Sequence, residues 1–149
     1  LSEDMKLSSG GSDNHLMLLD VTGFGLNGRQ AESVLRECGI TLNRNALPED
    51  PNGPWYTSGL RIGTPAVTTL GMGPEEMQEI AGIIKYVLSN TKPKILTKGK
   101  NAGKPSKAKY DIDQSVIDAA IKRVNALLGR YPVYPELDLD FLMKHFVKE

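Results

Sequence analysis

The sequence predicts an α+β domain, an α/β two-layer arrangement with a small antiparallel sheet covered by helices. Three observations point there. Segments of strand, helical and loop character follow in the order strand, helix, strand, loop, strand, helix, linker, helix. Two of the helical segments carry broad apolar faces of the kind that packs on a sheet. With 149 residues of ordinary globular composition, the chain is long enough for one core and too short for a large multidomain enzyme.

Residues 1–7 show no periodicity and read as an incoming linker, and 8–14 are rich in Ser, Gly, Asp and Asn, which favour turns. The run His15-Leu16-Met17-Leu18-Leu19-Asp20-Val21 is nearly continuous in apolar residues, as expected for a central strand covered on both faces. Two glycines around Phe24 make a turn. Asn27 is placed to cap a helix with Gln30 three residues on, and Ala31, Val34, Leu35 and Cys38 repeat at helical spacing up to Gly39. Cys38 falls on that apolar stripe and reads as a small buried hydrophobe. Residues 40–43 alternate and read as a short strand that ends at Arg44 and Asn45. Pro48, Pro51 and Pro54 then make the loop at 46–55 stiff without being regular.

The stretch 57–66 is expected to be extended, and 67–70 to finish a strand. Pro74 opens a helix with Glu75 and Glu76 in its first turn, where their charge opposes the helix dipole. Met77, Ile80, Ala81, Ile84, Val87 and Leu88 form its buried stripe. Residues 91–109 carry seven lysines among Pro, Gly, Ser and Asn and read as a mobile, solvated linker. As a polyanion-binding arm this segment lacks arginine, and lacks any aromatic before Tyr110. Asp113 caps a further helix, with Val116, Ile117, Ala120, Ile121, Val124, Leu127 and Leu128 on one face and Gly129 at its end. Tyr131 to Pro135 is held extended by its prolines, and the tail from Glu136 has room for a last helical turn or two.

Eighteen basic and eighteen acidic residues cancel, so no global field steers the chain to nucleic acid or to an anionic membrane. Neither is expected as a partner. The single cysteine excludes an internal disulfide, and the absence of a signal-peptide pattern or long apolar span makes the cytoplasm the expected location. The start at Leu1, with its polar lead-in, is what an excised piece of a longer protein would show.

One stretch carries chemistry. In Thr57-Ser58-Gly59-Leu60-Arg61-Ile62-Gly63-Thr64-Pro65-Ala66, Arg61 stands between apolar neighbours and two glycines. On an extended backbone its guanidinium points away from Leu60 and Ile62, and its fork of donors matches a carboxylate or phosphate. Gly59 and Gly63 let a ligand or another backbone come close. An arginine paired to a local Asp or Glu across a turn has the same spacing, so spacing leaves both open. No metal-ligand cluster, phosphate loop or nucleophile elbow is present; His145 lacks partner spacing and reads as a surface residue, and His15 reads as a hydrogen-bonded histidine at a strand end. Neither a catalytic nor a metal-binding residue is expected.

Ser9-Gly10-Gly11-Ser12-Asp13-Asn14-His15, Gly39-Ile40-Thr41-Leu42-Asn43-Arg44-Asn45 and the Arg61 stretch, in that order, resemble the C-terminal part of serine hydroxymethyltransferases. The resemblance implies the C-terminal small domain, over 1–149, of a fold-type I pyridoxal-phosphate enzyme that passes a one-carbon unit between serine or glycine and tetrahydrofolate. It implies that Arg61 binds the substrate carboxylate, that Asn45 contributes to the folate pocket, and that the full-length protein is a homodimer. The family's Schiff-base lysine lies in a threonine-rich motif that this chain does not contain, so the isolated chain is expected to be inactive. Two departures stand out: Leu70 where family members often have arginine, and the lysine-rich stretch, which looks like an insertion. The competing readings are a non-catalytic binding or assembly module of the same fold, the small domain of another pyridoxal-phosphate enzyme such as a glycine acyltransferase, and nucleic-acid binding through the lysines.

Overall fold

The computed structural model describes residues 5–146. A three-stranded antiparallel sheet is built from β1 (Leu16–Asp20), β2 (Asn43–Asn45) and β3 (Gly59–Gly63) in the order β1-β3-β2, which bears out the small antiparallel sheet. The centre is β3, not β1. The apolar run of β1 suggested cover on both faces, yet only Leu19 is fully buried, while Leu16, Met17 and Leu18 are half-buried. Among the described residues, its outer edge meets residues 6–8, through an isolated Leu7–Leu19 bridge and bonds from Ser8 N–H to the Leu18 carbonyl and from Asp20 N–H to the Lys6 carbonyl, both 2.9 Å. The end of the expected linker at 1–7 thus lies along the sheet, and its first four residues fall outside those described.

Helix α1 (Gly28–Glu37) forms where predicted. Asn27 Oδ1 accepts from Gln30 N–H at 3.0 Å and Gln30 Oε1 accepts from Asn27 N–H at 3.1 Å, a reciprocal cap. At the other end Gly39 takes φ +83°, so that Gly39 N–H reaches the Arg36 carbonyl and Ile40 N–H the Leu35 carbonyl. That turn consumes Ile40, and the strand expected at 40–43 becomes β2 at 43–45. The alternation of Ile40 and Leu42 reports burial against the core, not strand pairing.

The proline loop contains one short helix, α2 (Gly53–Tyr56), with Pro54 in its first turn. Residues 67–70, expected to finish a strand, instead form the end of α3 (Pro65–Thr69) and its C-cap Leu70, and Pro65 pre-sets helical φ at the first position. The long helices α4 (Pro74–Ser89) and α5 (Gln114–Leu128) pack on each other and bring Ile84, Val87, Leu88, Ile117 and Ala120 into one core with Leu19, Leu60 and the buried face of α1. Arg123 locks the pair with two 2.8 Å bonds to Glu79. A final helix, α6 (Leu139–Phe146), occupies the tail and carries an exposed His145 beside Phe141. The last three residues of the tail lie outside those described.

The lysine-rich stretch is the largest correction. In place of a linker without regular structure, it forms an antiparallel hairpin of β4 (Lys92–Ile95) and β5 (Pro105–Asp111), with Lys92 opposite Asp111. The turn composition at 97–104 is real and the lysines are exposed, so the sequence signal described the hairpin's surface. Asn27 and Gln30, the caps of α1, decide its placement. Their side chains donate to the carbonyls of Lys107, Ser106 and Lys109 on β5.

Candidate functional site

Strand alternation sets the site. Leu60 is fully buried against the helices, which turns Arg61 to the opposite face. Arg61 stands across from Leu18 on β1 and Asn43 on β2, so these three side chains share one face. Asn45, two residues on from Asn43, lies on that face too, opposite Gly59. The helices cover the other side. The structure thereby brings the two sequence-predicted residues, Arg61 and Asn45, to one surface of the sheet.

The Arg61 guanidinium is exposed and donates a long 3.4 Å bond from Nη2 to Asn43 Oδ1, a neutral partner. Among the described residues no carboxylate pairs with it, in contrast to Arg44, whose Nη1 lies 2.6 Å from Glu32 Oε2. The local ion pair that spacing left open does not form. Past Asn43, where β2 begins, Ile62 and Gly63 keep partners on β1 alone, and a groove of about 420 Å³ opens between the sheet and α4 and α5. Its lining is mainly apolar, with Met77, Ile80 and Val124 on the helix side. Thr41, Asn43, Arg61 and Thr64 are the polar residues of its lining, at the edge of the sheet. Such an apolar wall can bury the body of a small ligand, and the exposed Arg61 guanidinium stands at its edge.

The two flanking glycines have different reasons. A Cβ on Gly59 would lie 2.9 Å from the Asn45 carbonyl oxygen and 2.5 Å from Leu47 Cδ2, so what approaches there is the neighbouring loop. A Cβ on Gly63 would meet only ordinary contacts at 3.7 Å, which leaves the space beside Arg61 clear.

Asn45 is half-buried and its Nδ2 donates to the Ala46 carbonyl at 2.8 Å, which directs its amide along the loop mouth. The loop beyond is closed by Asp50, a residue the sequence reading passed over although the Asp-Pro-Asn-Gly string is an Asx-turn signature. Burial acts to raise the Asp50 carboxyl. Hydrogen bonds from the Ser58 hydroxyl and from the backbone N–H groups of Asn52, Leu47 and Ser58 outweigh it and hold the group below its usual 3.8. Also unforeseen is Trp55, exposed on α2, with the guanidiniums of Arg29 and Arg44 each 5.4 Å from its ring centre.

His15 contributes its carbonyl oxygen, which accepts from Thr64 N–H at 3.0 Å, while its side chain is exposed. Among the described residues there is no cluster of His, Cys, Asp and Glu suited to a metal ion, and no helix long and apolar enough to cross a membrane.

Known proteins are similar to this sequence. The family described as serine hydroxymethyltransferase matches residues 1–84. A serine hydroxymethyltransferase of Treponema pallidum (strain Nichols) is 54% identical over 148 residues, which is 99% of this chain and 25% of that protein. One from Salinispora tropica is 54% identical over 135 residues, 90% of this chain and 27% of its own length. One from Chlamydia muridarum is 47% identical over 140 residues, 93% and 27% respectively. The chain thus spans about a quarter of the length of these curated relatives. With a family match over more than half its residues, the chain belongs to the serine hydroxymethyltransferase family.

Proposed function

We propose that this chain is the C-terminal small domain of a serine hydroxymethyltransferase, a cytoplasmic homodimer that interconverts serine and glycine with transfer of a one-carbon unit to tetrahydrofolate. The observation that carries the reading is the Arg61 guanidinium, exposed on the helix-free face of the sheet beside a mainly apolar groove and without a carboxylate partner among the described residues. Arg61 holds the carboxylate of serine or glycine through its fork, and Asn43 steadies the guanidinium from β2. Asn45, on the same face, presents donors and an acceptor to the pterin edge of the folate.

Pyridoxal phosphate, when bound, supplies the electron sink for this chemistry. The donor set here fits the substrate's carboxylate, and the cofactor's anchoring lysine is assigned to the part of the protein outside this chain. What the chain contributes is orientation. A carboxylate held at Arg61 has its remaining bonds directed by that contact, so the reacting carbon presents one geometry to the rest of the site.

The test uses the full-length protein loaded with pyridoxal phosphate. Glycine is titrated by the visible spectrum, with and without tetrahydrofolate, in the native protein and in Arg61→Ala. A folate-enhanced long-wavelength band whose glycine dependence moves to far higher concentration in Arg61→Ala supports the reading. A glycine dependence unchanged by Arg61→Ala overturns the clamp, and a response to glycine that folate never alters overturns the hydroxymethyltransferase assignment. The isolated chain, supplied with serine, folate and cofactor, is expected to give no turnover.

A further inference from the structure

We infer that Asp50 is a positioning residue for the folate subsite: it closes the 46–58 loop onto β3 and thereby holds Asn45 in its working orientation. This deepens the functional reading above and rests on Asn45 contacting tetrahydrofolate.

The loop leaves the sheet at Asn45 and returns at Gly59, two residues that are Cα partners in the β2–β3 register. Three prolines inside it lack N–H groups, so the loop has few means of closing through its own backbone. Asp50 supplies the closure with both oxygens. Its Oδ2 accepts from Leu47 N–H at 3.0 Å and Ser58 N–H at 2.7 Å, and its Oδ1 from Asn52 N–H at 2.9 Å and the Ser58 hydroxyl at 2.6 Å. Asn52 Nδ2 adds a bond to Ser58 Oγ at 3.0 Å.

Closure works against a cost. Thr57, next to Ser58, adopts φ +58°, a backbone region that β-branched residues avoid, and its buried Oγ1 has no hydrogen-bond partner among the described residues. Two of the four bonds to Asp50, from the Ser58 N–H and hydroxyl, offset that strain by fixing Ser58, the residue through which the chain enters β3. The same carboxylate holds the Leu47 N–H, two residues on from Asn45, and the Leu47 side chain fills the space beside Gly59. One acid thus ties together Leu47, two residues after Asn45, and Ser58, which precedes Gly59, the register partner of Asn45. Arg61 is held differently, by strand pairing to both β1 and β2, and does not depend on the loop.

The two substrates should therefore separate. In the full-length enzyme, Asp50→Asn keeps the side-chain volume but turns an amide N–H towards N–H donors, and Ser58→Ala is the milder variant that removes the hydroxyl bonds alone. Asp50→Asn is expected to raise the KM for tetrahydrofolate about tenfold, with the glycine Kd, read from the spectrum, staying within about twofold. Ser58→Ala should move the same constant in the same direction by less. Amide exchange at Leu47, Asn52 and Ser58 should quicken in both variants, a readout independent of activity. Asn45→Ala serves as the reference. If it raises the folate KM and neither Asp50→Asn nor Ser58→Ala does, the positioning role is overturned and the folate reading stands. A loss of glycine and folate binding in equal measure marks a general structural role and overturns the inference as well. If Asn45→Ala leaves the folate KM unchanged, the folate assignment itself falls, and the inference with it.

Discussion

Gln30 and Ser106 are 76 residues apart, and the Gln30 Nε2 amide donates to the Ser106 carbonyl at 2.7 Å inside the protein. The same nitrogen bonds the Lys109 carbonyl at 3.0 Å, while Gln30 Oε1 caps its own helix through Asn27 N–H. One buried amide thus caps the start of α1 and seats β5. The neighbouring Asn27 does likewise, bonding Gln30 N–H with its oxygen and the Lys107 carbonyl with its nitrogen.

Gln30→Leu is therefore expected to undock the hairpin. Leaving buried carbonyls without donors costs about 1–3 kcal/mol, and amides of β5 should lose protection in the full-length protein while those of α4 keep theirs. Unchanged exchange along 105–111 would show that other contacts hold the hairpin.

Gly59→Ala should damage the site through its backbone. The added methyl meets the Asn45 carbonyl at 2.9 Å, and the carbonyl cannot yield without breaking the β2–β3 register. Overpacking of this kind costs about 1–3 kcal/mol. Denaturant unfolding should report that loss, and Gly63→Ala, where the nearest atoms are at 3.7 Å, should be milder.

Arg61→Ala is expected to weaken productive amino-acid binding by at least tens-fold, since removing one partner of a desolvated charged pair typically costs roughly 2–5 kcal/mol. Arg61→Lys should recover little, because a point charge lacks the two-pronged geometry. A lysine variant with native glycine affinity would show that charge alone suffices.

Cys38 sets an alkaline dependence. Burial, and then the nearby Glu37 carboxylate, push its thiol up to about 11 from 9.0. Between those values the folded state keeps a proton that the unfolded state has lost, so the stability of α1 falls as pH rises from about 9 to about 11 and is unaffected below. Cys38→Ala should flatten that limb in amide exchange of α1 measured against pH. The native thiol should also resist alkylation at pH 8, and modification there without unfolding would contradict its burial.

The sequence by itself determined what depends on neighbours a few residues apart. The Asn27 and Gln30 cap, the start of α4 at Pro74, the stripes of α4 and α5 and the opposite facing of Leu60 and Arg61 all follow from local periodicity and capping chemistry. The three family motifs were legible in the same way. Tertiary structure decided what depends on distant partners. The β1 run looked central because apolar residues fill both of its faces, but strand order is set by pairing, and β3 is the strand with a partner on each side. Residues 91–109 looked unstructured because their side chains are solvated, whereas their order comes from backbone carbonyls that accept from buried Asn27 and Gln30. Composition records side chains and is blind to such carbonyls. Asp50 was hidden for a related reason: an aspartate between prolines reads as a turn former, and only the folded loop brings Ser58 back to its carboxylate.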